Sequence, residues 1–131
     1  MQRPVSDSAL RGRRILVVED EMLVAMELEA LLREHGCEVV GPAPSVEHAL
    51  RLLHDRCPDA ALLDLNLNGQ PATALAEALR ERGVPVVLAT GYSETQLHEP
   101  ALRDIPRLSK PVRHRELLRT LARLLAAAPP D

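Results

Sequence analysis

At 131 residues, with 46% hydrophobic and 27% charged side chains, the chain has the balance of one globular domain and can bury a core without disulfide or metal staples. Its formal net charge of −3 gives no ground for nucleic-acid binding. No apolar run approaches the roughly 18 residues of a spanning helix, and the start Met1-Gln2-Arg3-Pro4-Val5-Ser6 lacks the apolar stretch of a secretory signal, so a cytoplasmic protein with no membrane and no direct nucleic-acid contact is expected.

Residues 1–13 mix Pro, Ser, Asp and Arg without periodicity and are expected to form a flexible leader. Arg14 to Val18 reads as a strand, and Val24, Leu28, Leu31 and Leu32 then recur at helical spacing until Gly36 stops them. Val39-Val40 is a second brief strand closed by Gly41-Pro42. Ser45 caps a helix whose inward face is Val46, Ala49, Leu50 and Leu53. Ala60 to Leu63 is the third strand, and after the turn Asn68-Gly69 Pro71 can open a helix facing inward with Ala72, Leu75, Ala76 and Leu79. Val84 to Ala89 and Ile105 to Leu108 are the fourth and fifth strands. The last helix runs from Val112 to Ala127 on a stripe of Leu117, Leu121, Leu124 and Leu125, leaving residues 128–131 as a tail. Between Thr90 and Pro106 the pattern weakens. Ser93 to His98 could make a turn or two, and this segment is expected to be the most mobile part of the domain.

Strands alternating with helices imply an α/β fold over 14–127, a parallel sheet covered on both faces through right-handed crossovers. In such a sheet ligands bind outside the carboxyl ends of the strands. Glu19-Asp20-Glu21, Asp64-Leu65-Asn66, Thr90-Gly91 and Lys110-Pro111 all fall at those ends. Two unit charges about 4 Å apart repel by roughly 1 kcal/mol in water and about 4 kcal/mol at an effective dielectric near 20, so Glu19, Asp20 and Asp64 need a counter-charge. An all-oxygen site of few carboxylates suits Mg²⁺, Lys110 supplies a fixed ammonium and Thr90 a hydroxyl, and together these meet the needs of phosphoryl transfer. Taken singly, each group has a plainer use: Glu19 to Glu21 as acids favoured by a helix dipole, Asp64 as a turn residue, Thr90-Gly91 as a cap.

Cys37 and Cys57 have no metal or redox spacing and read as small buried apolar residues. His35, His48, His54, His98 and His114 show no metal spacing either and read as surface residues, none of them a phosphodonor. Residues 101–131 carry seven basic side chains against three acidic ones, either a solvated helix face or a docking surface for an acidic partner.

The runs Ile15-Leu16-Val17-Val18-Glu19-Asp20-Glu21, Leu62-Leu63-Asp64-Leu65-Asn66-Leu67, Ala89-Thr90-Gly91-Tyr92 and Lys110-Pro111, in this order across 14–127, resemble the receiver domain of bacterial two-component response regulators. The resemblance implies a flavodoxin-like (βα)5 sandwich with strand order 2-1-3-4-5 and helices on both faces. It implies Asp64 as phosphoacceptor from a histidine kinase or phosphotransfer protein. It also implies a Mg²⁺ set of Glu19, Asp20, Asp64 and the Asn66 backbone carbonyl, with Thr90, Gly91 and Lys110 around the phosphoryl group. A carboxylate nucleophile forms an acyl phosphate.

The chain departs from the family in one place. Typical receivers carry an aromatic switch residue three positions before the lysine, where Arg107 stands here, free to form a salt bridge on the basic face. Leu88-Ala89-Thr90-Gly91-Tyr92 is similar instead to a run, usually opened by Phe, of a subgroup of mostly stand-alone receivers. Tyr92, the only aromatic residue, is therefore the expected switch, with a half-exposed loop tyrosine as the alternative. No output domain is expected after residue 127, so the signal would pass to a downstream protein partner. A degenerate receiver that only binds proteins is the second reading. A multiple-turnover aspartate-nucleophile phosphatase is the third and least favoured, because its nucleophile would follow the first strand.

Overall fold

Alternate residues of the first strand enter different cores. In β1 (Arg14–Val18) Ile15 and Val17 join one apolar cluster while Leu16 and Val18 join another, because successive side chains point to opposite sheet faces. The computed structural model describes residues 9–67, 70–91, 102 and 104–127. In it β1, β2 (Glu38–Ala43), β3 (Ala60–Asp64), β4 (Val86–Thr90) and β5 (Arg107–Ser109) form one parallel sheet in the order β2-β1-β3-β4-β5. Helices α1 (Met22–Glu34) and α4 (His114–Ala127) pack on one face, and α2 (Val46–Asp55) and α3 (Thr73–Glu81) on the other. The doubly wound sandwich and its 2-1-3-4-5 order are those expected. β3 and β4 are buried along their whole length, as central parallel strands between two helical layers must be.

The local signals that set the helices are visible. Ser45 Oγ accepts the His48 N–H at 3.1 Å and starts α2. Gly36 ends α1 at φ +87°, a conformation costly for a residue with a Cβ.

Several boundaries move. Residues 9–13, expected in the leader, belong to the fold: Leu10 is fully buried, and the Gly12 N–H donates to the Gly36 carbonyl at 2.8 Å. A lone leucine has no periodicity to reveal it. Pro71 does not open a helix but pairs with Asn66 in a short antiparallel ladder of Asn66–Leu67 and Gln70–Pro71, and α3 starts at Thr73. The fifth strand is Arg107–Ser109, Ile105 being buried ahead of it, and α4 begins at His114 rather than Val112. Leu50, assigned inward, is 38% exposed. Cys57 is exposed and only Cys37 is buried. His35 and His48 are half-buried rather than on the surface, and His98 lies outside the described residues. So do the Asn68-Gly69 turn, the Ser93 to His98 segment, Tyr92 and the tail.

Candidate functional site

Parity assigns the reactive groups to one side of the sheet. Val17, Leu62 and Leu108 all belong to the core beneath α1 and α4, and two residues further along each chain stand Glu19, Asp64 and Lys110. The β1–β3 register sets Val18 against Leu63, so one step beyond it Glu19 comes beside Asp64. The β4–β5 register sets Thr90 against Ser109, and the Lys110 N–H donates to the Thr90 carbonyl at 2.8 Å. Four separate runs thus meet at one edge.

The side chains close that meeting. Lys110 Nζ lies 2.9 Å from Asp64 Oδ2 and 3.9 Å from Glu19 Oε1. Asp64 and Glu19 are buried at 2% and 4% exposure, and Thr90, at the end of β4, is buried as well. Carboxylate oxygens of Glu19, Asp20 and Asp64 all lie within 4.8 Å of one another. Glu19 Oε2 also accepts the Glu21 N–H at 3.1 Å. The helix-dipole reading fits Glu21, which stands at the N-cap of α1 without a side-chain bond, while Glu19 and Asp20 lie ahead of the helix and no acid sits in its first turn.

Charge balance follows from the geometry. Burial is the main force pushing the Glu19 carboxyl up to about 7; the Asp64 charge and a hydrogen bond with Asp20 add to it, while the Glu21 N–H and Lys110 oppose it. Burial alone would pull Lys110 down, but the hydrogen bond to Asp64 and the charges of Asp64, Glu19 and Glu21 outweigh it and raise its pKa. Lys110 is therefore a firm ammonium, and one ammonium does not balance three carboxylates. Glu19 answers by holding its proton into the neutral range. A hard divalent cation with an oxygen-only donor set, Mg²⁺ above all, fits this deficit.

Gly91 is half-buried directly after β4. Asn66 is placed by its backbone in the ladder two residues past Asp64. Arg107, at the position of the usual switch aromatic, donates from its guanidinium to the Leu102 carbonyl at 3.0 Å and anchors the approach to β5.

Two features escaped the sequence reading. A cavity of about 300 Å³ opens beside Asp64 and runs beneath α1. Met22, Leu23 and Met26 form an apolar patch at the start of α1, with Met22 74% and Leu23 81% exposed. A helical wheel contains the second signal, because these positions lie opposite the buried stripe of Ala25, Leu28, Leu31 and Leu32. No helix among the described residues is long and apolar enough to cross a membrane.

Comparison with known proteins agrees with this geometry. The family model described as response regulator receiver domain matches residues 15–122. The chain is 35% identical over 103 residues to the transcriptional regulatory protein PdtaR of Mycobacterium tuberculosis, covering 77% of this chain and 50% of that one. It is 32% identical over 111 residues to the sensory transduction protein LytT of Bacillus subtilis, covering 82% and 46%. The chain thus spans about half the length of the curated relatives it matches. Among solved structures, the receiver domain of the PhyR response regulator from Erythrobacter litoralis superposes with a TM-score of 0.80 at 27% identity, over 94% of this chain and 97% of that one. A CheY-like receiver domain protein from Methanospirillum hungatei gives 0.78 at 25% identity, over 88% and 94%.

Proposed function

The chain belongs to the response regulator receiver family, and from that premise we propose that it is a phosphorelay switch that accepts a phosphoryl group on Asp64 and signals through a protein partner. The observation that carries this reading is the buried Asp64 carboxylate held 2.9 Å from Lys110 Nζ within the acidic cluster. An Asp64 Oδ would attack the phosphorus of a phosphohistidine, forming the O–P bond as the N–P bond to imidazole breaks and the leaving nitrogen takes a proton. The product is an acyl phosphate. Lys110, already beside Oδ2, is placed to pair with the incoming phosphoryl oxygens, and the Thr90 hydroxyl to donate to them, with Gly91 giving the backbone room to approach. Glu19, Asp20, Asp64 and the Asn66 carbonyl would hold Mg²⁺, which supplies charge neutralisation at the phosphoryl oxygens.

We read the same groups as assisting hydrolysis of the chain's own acyl phosphate rather than multiple turnover on an external substrate. The exposed Met22, Leu23 and Met26, beside the site and adaptable in shape, support a protein partner at this edge. Tyr92 is the residue we assign as switch aromatic, since Arg107 occupies the usual position and is tied to Leu102. We place this activity in the cytoplasm, where such a relay partner would be found.

The test is incubation with Mg²⁺ and a small phosphodonor, read on a phosphate-affinity gel. A shifted band in the wild type that is absent in Asp64→Asn is the expected result. No shift in the wild type, or an equal shift in both, would refute Asp64 as acceptor and leave the protein-binding module. Tyr92 fluorescence that does not change on addition of beryllofluoride and Mg²⁺ would refute its switching role. A pull-down that compares beryllofluoride-loaded with metal-free protein would identify the partner.

A further inference from the structure

We propose that the cavity beneath α1 binds a small amphipathic cation, an ammonium group carried on an apolar body the size of a phenyl ring. The cavity, of about 300 Å³, lies between α1, the strand ends and the loop Lys110-Pro111-Val112. Its walls are the aliphatic side chains of Val24, Leu28, Leu62, Ala89 and Val112, and Val18 borders it from the strand. Its rim is charged: Glu19, Glu21, Glu27 and Asp64 against Lys110.

The void has a compositional cause. The chain has no Phe and no Trp, so only branched aliphatic side chains reach into the space between α1 and the sheet, and they do not span it. An apolar cavity of about 150 Å³ is enough to admit benzene, and ligand pockets begin at about 300 Å³. Size alone would admit any small apolar molecule. Charge selects among them: with Asp64 paired to Lys110 and Glu19 holding its proton into the neutral range, Glu21 and Glu27 supply the excess of negative charge. If Glu19 and Asp64 are taken up by a divalent cation, Glu21 and Glu27 still face the opening. Glu27 reaches across to α4, its Oε2 lying 3.5 Å from His114 Nε2 at that helix's first turn. An anion would meet these carboxylates, and a neutral ligand would forgo them. The cavity extends from Asp64 towards α1, and its occupation does not require that Asp64 be phosphorylated.

The intact, methyl-labelled protein, kept in EDTA at low salt, can be titrated with 2-phenylethylamine and followed by NMR. Saturable shifts confined to the methyl groups of Val24, Leu28, Leu62 and Val112 are expected. 2-Phenylethanol should bind at least about tenfold more weakly, for want of the charge contact at the rim, and 3-phenylpropionate not measurably. Methylammonium, which has the charge without the apolar body, should leave these methyls unmoved. Glu27→Gln should weaken the amine severalfold and leave the alcohol unchanged, while Val112→Phe, which fills the space from a half-buried loop position, should abolish both. Equal affinity for amine, alcohol and acid, saturable binding of methylammonium at these methyls, shifts centred elsewhere or no saturation would overturn the proposal. A folded Val112→Phe protein that still binds the amine would do so as well.

Discussion

Replacing Glu19 by glutamine should stabilise the metal-free protein, and the gain should grow with pH. The Glu19 carboxyl is pushed from an ordinary 4.5 to about 7 in the folded protein. At 1.36 kcal/mol per pKa unit, the charged form is disfavoured by roughly 3 kcal/mol on folding. Below 4.5 the carboxyl is protonated in both folded and unfolded chains and carries no penalty. From there up to about 7 the unfolded chain has released its proton while the folded protein retains it, so stability falls as pH rises. Beyond that window the full penalty is present. Glutamine has the same shape and does not titrate, so its variant lacks this slope.

Urea unfolding in EDTA at a series of pH values reads the effect directly. The advantage of Glu19→Gln should rise from near zero around pH 4.5 to roughly 3 kcal/mol at pH 8, with unchanged denaturant slope. A difference that stays constant across the range would refute the reasoning, since it would reflect shape or packing rather than the buried charge. So would a variant less stable than the wild type at pH 8. Magnesium should close most of the gap at that pH: at a concentration of about 100 times its dissociation constant it adds about 2.7 kcal/mol to a protein that binds it only when folded, and the glutamine variant should gain much less.

Lys110→Met removes the positive charge in contact with Asp64 and Glu19. Loss of one partner of a buried pair costs about 3–5 kcal/mol, but the lysine side chain is 31% exposed, so about 2 kcal/mol is expected by urea unfolding, and added Mg²⁺ should shrink the deficit. A deficit insensitive to Mg²⁺ would place its origin in packing. Leu10→Ala should cost about 2–5 kcal/mol, the value for a core leucine, whereas an ordinary leader residue would cost nothing measurable by the same assay. With a thiol reagent under native conditions, the exposed Cys57 should react promptly and Cys37, buried and with its thiol pushed up to about 11, only on unfolding. Equal rates for the two would contradict the burial.

The strand ends were legible because apolar runs such as Ala60 to Leu63 and Val86 to Ala89 give way to polar or charged residues where each strand finishes, at Glu19, Asp64, Thr90 and Lys110. The topology then follows from short right-handed crossovers. Features without periodicity were not legible. Leu10 is one leucine among polar neighbours, and its burial depends on long-range contacts with the turn at Gly36 and Cys37. Pro71 satisfies the local rule for opening a helix yet pairs with Asn66, because the chain leaving β3 turns back on itself before α3 begins. The cavity was invisible for a similar reason: a void is a relation among Leu28, Leu62 and Val112, on a helix, a strand and a loop, and no window of sequence contains it.

The composition of the site explains why a fold would keep so costly an edge. Parity and register force Glu19 and Asp64 together wherever a strand of this sheet ends in an acid, and burial then amplifies their repulsion. Lys110 offsets part of it, and the raised Glu19 carboxyl is the part left over. That remainder is released when positive charge arrives and returns when it leaves. It also changes sign of purpose if a phosphoryl group is placed on Asp64, because Lys110 would then be drawn from the carboxylate it now holds at 2.9 Å towards new oxygens. A site held this far from electrostatic balance responds to a single charge with a change in which side chains pair, and such a change of pairing is what a two-state element can transmit to a partner.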